Sequence, residues 1–587
     1  MSFFTFDGSH SLGRVRAVDT RRINIQVSSD EQLRRARVSQ LLAVSLPGAL
    51  DEWLIAIIEK VVRTPVAYEE AGVEAVPEID GAEQSLSVDG SGPELPREGV
   101  LNTVHATLVG TVSNLAGRKP IFSRSLGQVP EIDGECWILR DAQLQTFMSL
   151  LASAGDTEHS LEIGKYAIDD SASAYLDGNK LFQRHAALLG STGCGKSWTV
   201  AAILERVAAL PSSNVILFDL HGEYRALSYA RHLRIPGPED LGKNNETLLY
   251  LPFWYLNGEE MQAMFVDRSE HSAHNQVVTF QETVLSSKEA QLKALNKPEP
   301  LGALTLDSPV PYDLDAVIAE IKRLNEEMIQ GARGEKQGPF YAQFSRLLVR
   351  LRSRIGDKRY GFLFQAPQEE HAYEAMAMTM TRLMDHSKGQ AHVKVIDFSE
   401  VPSEVLPVIV GLVARLIYQI QFWTERSSRR PIALICDEAH LYLPRHDGLD
   451  PIEHRAVENF EKIAKEGRKY GVALLIVSQR PADVSPTILS QCNNVLSMRL
   501  SNAQDQATVK DLMPESLVGL IDSLPVLDVG EALVVGDAVL LPSRIKITPP
   551  TQKPLSATID FWDEWQKIAV EPDFSKSVEN LRRQNRR

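Results

Sequence analysis

A glycine-rich segment in the first half of the sequence has the residue types and spacing that hold a triphosphate. Gly190-Ser-Thr-Gly-Cys-Gly-Lys-Ser197 matches G-x-x-x-x-G-K-[ST] in full, follows a predicted strand at residues 185–189 and opens a predicted helix. Its glycines allow backbone N–H groups to point into an anion nest at the positive end of that helix. The Lys196 ammonium would contact the β- and γ-phosphates, and the Ser197 hydroxyl would bind Mg²⁺. This context favours a site for ATP and Mg²⁺ over a chance glycine turn between a core strand and a helix. The predicted nucleotide-binding residues are Gly190, Ser191, Thr192, Gly193, Cys194, Gly195, Lys196 and Ser197.

A pair of carboxylates further along the chain would complete a hydrolytic site. Ile432-Ala-Leu-Ile-Cys436 predicts a buried strand that ends in Asp437 and Glu438, and we expect this strand to neighbour the strand of the phosphate loop. Asp437 would hold the metal through water, and Glu438 would polarise the attacking water as general base. Five preceding apolar residues disfavour a solvated acidic loop. His440 has two open interpretations, a residue that couples hydrolysis to movement or a packed polar residue.

Two further side chains have the chemistry to respond to the γ-phosphate. A third predicted strand at residues 473–477 is followed by Ser478 and Gln479, and an amide in that position would sense loss of the phosphate. Just ahead of this strand lies Arg468, which would reach the γ-phosphate of a neighbouring subunit. The alternative for Arg468 is the basic end of a surface helix, where its charge complements the helix dipole.

Apolar strands that alternate with helical periodicity predict a parallel α/β sheet around these residues. The residue pattern differs before residue 156, where short segments that alternate apolar and polar residues indicate a small β-domain. It differs again between residues 241 and 390, where segments such as 314–330 and 344–355 predict a helical insertion. The predicted domains are a β-domain at 1–155 with an acidic loop at 68–99, a first core segment at 156–240, a helical insertion at 241–390, a second core segment at 391–548 and a C-terminal extension at 549–587.

Bulk properties limit the class of protein. A chain of 587 residues predicts two or more domains, and the four cysteines have no metal-ligand spacing, which predicts a reducing compartment without disulfides or structural zinc. No export signal is visible, and the apolar run at residues 405–423 is interrupted by Arg415 and Gln419, so we expect a cytoplasmic protein with a buried core helix there and no membrane contact. Residues 68–99 carry a net charge of −8 out of a total of −15. Any nucleic-acid site must therefore be a confined basic track.

Taken together, several motifs resemble the HerA family within the HerA/FtsK superfamily of translocases. They lie between about residues 180 and 545, and their order and spacing are more specific than any one alone. The motifs are the phosphate loop, Phe218-Asp-Leu-His-Gly-Glu-Tyr224, the strand that ends in Asp437-Glu438-Ala-His440, Ile463-Ala-Lys-Glu-Gly-Arg-Lys-Tyr-Gly-Val472 and Val477-Ser-Gln-Arg-Pro481. The resemblance implies an α/β fold, with a RecA-like P-loop NTPase core, an N-terminal small β-barrel domain and a helical insertion.

The same resemblance implies a homohexamer with ATP at the subunit interfaces and duplex DNA in the central channel. On it, Lys196, Asp437 and Glu438 act in hydrolysis, Gln479 senses and Arg468 is the finger in trans. An arginine shortly before the phosphate loop also belongs to the family pattern, and Arg184 occupies that position. One departure is Cys194, where many relatives carry Ser or Ala, and a thiol there suggests reversible oxidative inactivation.

HerA-like proteins generally act with a second protein, so the resemblance implies an effector that contacts the β-barrel side. This effector would be a nuclease in DNA end processing, or a nuclease or sirtuin-like NAD-consuming enzyme in anti-phage defence. Two alternatives remain open, an ATP-gated ring scaffold that activates its partner without productive translocation and a conjugation- or secretion-type ATPase. A DEAH-box helicase is disfavoured because no second domain with an arginine-rich motif follows residue 480.

Basic residues on channel-facing loops would contact the DNA. The loop Leu443-Pro-Arg-His-Asp-Gly-Leu-Asp-Pro-Ile-Glu-His-Arg455 follows the carboxylate pair, and it predicts Arg445 and Arg455 as DNA contacts. A second candidate is the segment 224–234. The densest basic segment, residues 346–354, is better explained as an amphipathic helix of the insertion with a solvated face.

Overall fold

The computed structural model of the chain describes residues 3–46, 51–65, 100–114, 119–267, 269–331, 334–387, 391–446, 448, 451–556, 559–567 and 573–583. The predicted acidic loop at 68–99 lies outside these residues. The strands are β1 Ser11–Asp19, β2 Arg22–Val27, β3 Leu41–Ser45, β4 Glu52–Pro65, β5 Val100–Ser113, β6 Ile121–Ser123, β7 Glu135–Ile138, β8 Ser160–Tyr166, β9 Asp169–Asp177, β10 Ala186–Leu189, β11 Val215–Asp219, β12 Ala230–Arg234, β13 Met328–Gly331, β14 Gly334–Gln337, β15 Val393–Asp397, β16 Ile432–Cys436, β17 Val472–Ser478, β18 Asn494–Ser497, β19 Glu531–Gly536 and β20 Ser543–Ile547.

Helices connect most of these strands. They are α1 Asp30–Arg35, α2 Asp141–Gly155, α3 Gly178–Gln183, α4 Lys196–Ala208, α5 Gly258–Phe265, α6 Ala273–Ala294, α7 Pro298–Gly302, α8 Leu314–Glu326, α9 Ser345–Gly356, α10 Gly361–Phe364, α11 Ala375–Met384, α12 Leu406–Trp423, α13 Pro451–Glu466, α14 Pro486–Ser490, α15 Ala503–Asp511, α16 Phe561–Gln566 and α17 Ser575–Arg583. Two compact units result, residues 1–178 with 499–547 and residues 179–498 with 548–587.

The first unit contains a closed barrel of six antiparallel strands. Their order is β2-β1-β7-β3-β4-β5, and the pairing of β2 with β5 closes the ring. Every second residue of a strand points into the barrel and forms its core. On β2, Ile23, Ile25 and Val27 are buried inside, while the residues between them face outward. Gly13 is required where β1 crosses β2, since a Cβ there would lie 2.1 Å from the Gln26 carbonyl oxygen. The predicted β-barrel is thus confirmed, and closure leaves these six strands no exposed edge.

Beyond the barrel, the first unit also has an antiparallel ribbon. Its order is β19-β20-β8-β9, so two strands from beyond residue 530 pair with two from before residue 178. Helix α2 packs on β9 and buries Phe147, Met148 and Leu151.

The second unit is built on a parallel sheet in the order β12-β15-β11-β16-β17-β10-β18. This confirms the predicted α/β core. It also corrects one expectation, because β16, which carries the carboxylate pair at its end, does not neighbour β10. Strand β17 lies between them and pairs with both.

Between β12 and β15 lies the predicted insertion of helices, α5 to α11. Residues 345–356 form the expected amphipathic helix α9, with Leu347, Leu348 and Leu351 buried. The helix predicted over 314–330 is shorter than expected. It ends at Glu326 as α8, and residues 328–331 form strand β13, which pairs with β14 in a hairpin.

Helix α12 is a buried core helix, as predicted. By length and composition it could cross a membrane, but 72% of it is buried inside the protein. Its Arg415 makes a two-pronged ion pair of 2.7 Å with Glu260 of α5 and donates to the Tyr255 carbonyl at 2.8 Å. The buried charge is therefore neutralised by the insertion and fixes α5 against the core.

Candidate nucleotide-hydrolysis site

The phosphate loop has the backbone that its glycines predict. It joins the fully buried strand β10 to helix α4, which begins at Lys196. Gly193 and Gly195 have φ of 75° and 109°, a left-handed region in which a side chain would be strained. The Thr199 hydroxyl donates to the Gly195 carbonyl at 3.0 Å and so anchors the loop to the first turn of α4.

Residues of the two strands that flank β10, or directly follow them, contact the phosphate loop. The Gly190 N–H donates to the Ser478 carbonyl of β17 at 3.2 Å, and a Cβ on Gly190 would lie 2.7 Å from the Cys194 sulfur. Cys194 itself is fully buried, with its sulfur 3.7 Å from the Met498 sulfur beyond β18. Because thiol oxidation needs access for the oxidant, this burial argues against the oxidative inactivation expected from sequence.

Lys196 is positioned inside the loop, where phosphates would lie. It is only 7% exposed, and its ammonium donates to the Ser191 carbonyl at 3.2 Å. The Ser197 side chain follows it in the first turn of α4. This arrangement keeps a cation at the positive end of a helix, which suits a polyphosphate.

The carboxylate pair lies where β16 ends. Asp437 is 6% exposed; its Oδ1 accepts the Glu438 N–H at 3.0 Å, and its Oδ2 accepts the Tyr224 hydroxyl at 3.0 Å. Burial, followed by the charge of Glu438, raises the pKa of Asp437 to about 8. Glu438 has a left-handed backbone with φ of 47°, and burial raises the pKa of its carboxyl while Lys196 opposes that shift. Lys196 is thus close enough to act electrostatically on Glu438.

Sequence reasoning gave no role to Asp219, Glu223 and Tyr224, which the structure brings to the same place. Asp219 ends the buried strand β11, and its carboxylate accepts the N–H groups of the next turn at 2.7–3.2 Å, from His221, Gly222, Glu223 and Tyr224. This turn carries the Tyr224 hydroxyl onto Asp437. The available signal was an acidic residue directly after a buried strand, the same signal that identified Asp437.

Two carboxylate oxygens at this site are buried without a hydrogen-bond partner in the described part of the chain, Glu223 Oε2 and Glu438 Oε2. The latter lies 3.4 Å from the His440 ring nitrogen. Unsatisfied carboxylate oxygens fit a hydrated metal ion, because oxygen is the ligand that Mg²⁺ prefers. No set of three or more His, Cys, Asp or Glu side chains in the described residues could hold a metal by itself.

The predicted sensor lies beside the phosphate loop. The Thr192 hydroxyl donates to the Gln479 side-chain oxygen at 2.6 Å, which joins the loop to the end of β17. His440 Nδ1 lies 3.5 Å from the Ser478 hydroxyl, and burial lowers the pKa of its imidazole. His440 thus lies between Glu438 and the sensor strand as a neutral ring.

The structure does not bring the two predicted arginines to this site within one chain. Arg184 precedes β10 and Arg468 precedes β17, so both lie at the amino ends of parallel strands whose carboxyl ends carry the site. Asn493 N–H donates to the Arg184 carbonyl at 3.0 Å. Arg468 is exposed, and in the described part of the chain its guanidinium makes no hydrogen bond or ion pair. Any contact of Arg468 with a γ-phosphate must be made to another subunit.

The two arginines predicted to contact DNA differ in their exposure and in their ion pairs. Arg445 is exposed and donates to the Ala482 carbonyl at 3.2 Å. Arg455 pairs with Glu259 at 3.0 Å and with Glu458 at 2.5 Å, so its charge is already compensated. Residues 447, 449 and 450 of this loop lie outside the described residues.

Comparison with known proteins agrees with this geometry. The family model for the central domain of helicase HerA matches residues 161–417, which include the phosphate loop and Asp219. A probable helicase of Methanocaldococcus jannaschii is 24% identical over 71% of this chain and 72% of its own. The DNA double-strand break repair helicases HerA of Saccharolobus solfataricus and Pyrococcus furiosus are 25% and 26% identical, over 74% and 66% of this chain and 77% and 69% of theirs. Among solved structures, VirB4 of Thermoanaerobacter pseudethanolicus covers 67% of this chain and 97% of its own at 17% identity, but a TM-score of 0.44 is too low to carry an inference. The chain is an ATP-hydrolysing enzyme that is similar to the HerA helicases over most of its length.

Proposed function

We propose that this protein is a hexameric ATP-dependent DNA translocase of the HerA type, which moves duplex DNA and works with a separate effector protein. The observation that carries the proposal is the convergence of Lys196, Glu438 and Gln479 at one end of the sheet, in a chain similar over most of its length to DNA repair helicases. Each residue then has one task in hydrolysis.

Hydrolysis on this proposal divides among the residues of the site. Lys196 and the loop N–H groups bind the phosphates, and Glu438 polarises the attacking water through a carboxylate oxygen that accepts no hydrogen bond from the described residues. Ser197 and Asp437 would hold Mg²⁺, which when bound neutralises charge on the β- and γ-phosphates. Tyr224 orients Asp437 through its 3.0 Å hydrogen bond. Gln479 reports the phosphate state to the end of β17.

Assembly into a ring is supported by the position of Arg468. Its side chain is exposed at the amino end of β17, away from the nucleotide site of its own chain. An arginine there contributes to catalysis only if a second copy presents its phosphate loop to it. A homohexamer with ATP at its interfaces meets this condition, and Arg184 would approach the same interface.

DNA binding would be confined rather than spread over the surface, since the chain carries a net charge of −15. Arg445 is the better of the two predicted contacts because it is exposed, whereas Arg455 is held by two glutamates. The effector would dock on the β-barrel side and would be a nuclease or a sirtuin-like NAD-consuming enzyme. The process served would be DNA end processing or anti-phage defence in the cytoplasm.

Two variants separate a motor from a nucleotide-gated scaffold. Lys196→Ala removes the phosphate contact, while Glu438→Ala leaves the phosphate loop intact and removes the base. A motor loses DNA translocation and effector function with both, whereas a scaffold keeps effector function in Glu438→Ala. The exposed Glu425→Ala is the matched control and should behave like the wild type. Translocation retained by Glu438→Ala would contradict the proposal.

A further inference from the structure

A short segment near the C-terminus, residues 551–555, is bound directly to the elements that form the nucleotide site; we call it the C-terminal strap. Thr551 donates through its N–H at 2.7 Å and its hydroxyl at 2.5 Å to the Glu205 carboxylate on α4. The Leu555 N–H donates to the Glu223 carbonyl at 2.6 Å. The strap therefore bridges the helix of the phosphate loop and the turn that holds Tyr224 on Asp437.

A further contact fixes the middle of the strap. The Gln552 side chain accepts the Ser228 N–H at 2.7 Å and donates to the Ser228 hydroxyl at 2.9 Å. With both ends and the centre bonded, the path of the strap across α4 is fixed by specific hydrogen bonds, and its Pro554 is buried.

Between these anchor points, the strap meets an aromatic residue in the first turn of α4. The Lys553 ammonium lies 5.3 Å from the centre of the Trp198 ring, within the range of a cation–π interaction. Trp198 directly follows Ser197 and is part-exposed. An aromatic ring thus stands next to the predicted metal ligand, with one side approached by a strap residue more than 350 positions away in sequence.

The phosphate loop sets the direction in which a nucleotide extends. Loop N–H groups cradle the α- and β-phosphates, and Lys196 takes the β- and γ-phosphates. The ribose and base must therefore leave the loop on the α-phosphate side, past the first turn of α4. Trp198 and the strap border that turn.

We propose that Trp198 and the C-terminal strap form the nucleoside end of the ATP site, with the base stacked on the Trp198 indole and Lys553 holding the ring and the strap together. Stacking depends on the π-face that every base has, so this subsite contributes affinity without selecting adenine over guanine. It rests on nucleotide binding at the phosphate loop, which the proposed function also requires.

Binding of ADP, GDP and pyrophosphate to the full chain, measured by calorimetry, tests the proposal. Trp198→Ala should raise the dissociation constants of both nucleotides about 10-fold, and Lys553→Ala about 3-fold. Pyrophosphate affinity should stay unchanged in both, because it has no nucleoside. The matched controls are Trp565→Ala and Lys567→Ala, which change the same residue types at exposed positions of the C-terminal extension.

Two other results would each contradict a nucleoside subsite at Trp198. Equal losses for ADP and pyrophosphate would mean that the strap only supports the phosphate loop, and unchanged ADP affinity would mean that it lies outside the site. Either result overturns the proposal. If Trp198→Ala fails to fold, Lys553→Ala carries the test, since Lys553 is exposed. Lys196→Ala should weaken all three ligands, and pyrophosphate binding that survives it would refute the phosphate loop itself rather than the strap.

Discussion

The Thr192 hydroxyl donates a 2.6 Å hydrogen bond to the Gln479 side-chain oxygen, so the phosphate loop and the sensor strand β17 are joined directly. The two residues are 287 positions apart in sequence. The bond links a residue that would contact phosphate to the strand end that would sense whether the γ-phosphate is present. It gives the predicted sensor a geometric basis.

Removal of this contact should affect turnover more than binding. We expect Gln479→Ala to lower kcat by about 10-fold with KM for ATP nearly unchanged, because Lys196 and the loop N–H groups still bind the phosphates. Thr192→Val should give a smaller loss in the same direction. Steady-state ATPase assays check both, and a raised KM with normal kcat would mean that Gln479 contributes only to binding.

Arg468→Ala should abolish most ATP turnover and leave ATP binding intact, since an arginine finger contributes roughly 10³-fold or more to kcat. Mixing two inactive variants distinguishes an arginine that acts on a neighbouring subunit from one with a local structural role. Lys196→Ala and Arg468→Ala chains, each inactive alone, should regain part of the activity when co-assembled, because some interfaces then combine an intact Lys196 with an intact Arg468. Lys469→Ala is the neighbouring control, and mixtures that stay inactive would contradict the trans assignment.

The two predicted DNA contacts should behave differently. Arg445→Glu should weaken DNA-stimulated ATPase activity and reduce the salt dependence of DNA binding by about one phosphate contact. Arg455→Glu should mainly lower stability, because it places a third negative charge beside Glu259 and Glu458. Titrations at several salt concentrations measure the first effect, and DNA stimulation that persists at low salt in the double variant would exclude this loop from the channel.

The buried pair Arg415–Glu260 should be costly to break on one side only. Arg415→Met leaves the Glu260 charge unpaired at 2% exposure and should destabilise the fold by about 3–5 kcal/mol. Replacing both residues with Met should recover most of that loss. Arg323→Met is the surface control, since Arg323 pairs with Glu320 at 56% exposure and should change stability by less than about 1 kcal/mol. Urea unfolding compares the four proteins, and a double variant as unstable as the single one would contradict the assignment.

Lys394 should make stability depend on pH in the alkaline range. Its ammonium is buried on β15, donates to the Asn214 side chain at 3.1 Å and to the Asp385 carbonyl, and burial lowers its pKa from 10.5 to about 8. Between pH 8 and 10.5 the unfolded chain then binds a proton that the folded chain does not, so folding becomes more favourable as pH rises.

The stability of the wild type relative to Lys394→Met should therefore increase by about 2 kcal/mol from pH 7.5 to pH 10. The comparison with the variant cancels the titration of other groups such as Lys288. Urea unfolding at the two pH values measures the change, and a difference independent of pH would show that Lys394 titrates normally.

Much of the fold was accessible from sequence because its signals are local. Apolar strands and short alternating runs predicted the α/β core and the β-domain, which the parallel sheet and the six-stranded barrel confirm. Helical periodicity predicted the insertion, whose helices lie between β12 and β15. The hairpin β13–β14 was missed because residues 328–331 continue the composition of the preceding helix, and only their pairing with residues 334–337 makes them a strand. The pairing of β19 and β20 with β8 and β9 likewise has no local signature.

By itself, the sequence determined the phosphate loop and the Asp437–Glu438 pair, since contiguous glycines and carboxylates after buried strands dictate both backbone and chemistry within a few residues. Only the tertiary structure decided that β17 lies between β10 and β16, that Tyr224 orients Asp437, that Cys194 is buried, and that the strap at 551–555 borders the nucleotide site. These relationships join residues tens to hundreds of positions apart. They depend on the order of strands in the sheet and on side-chain packing, which local spacing does not encode.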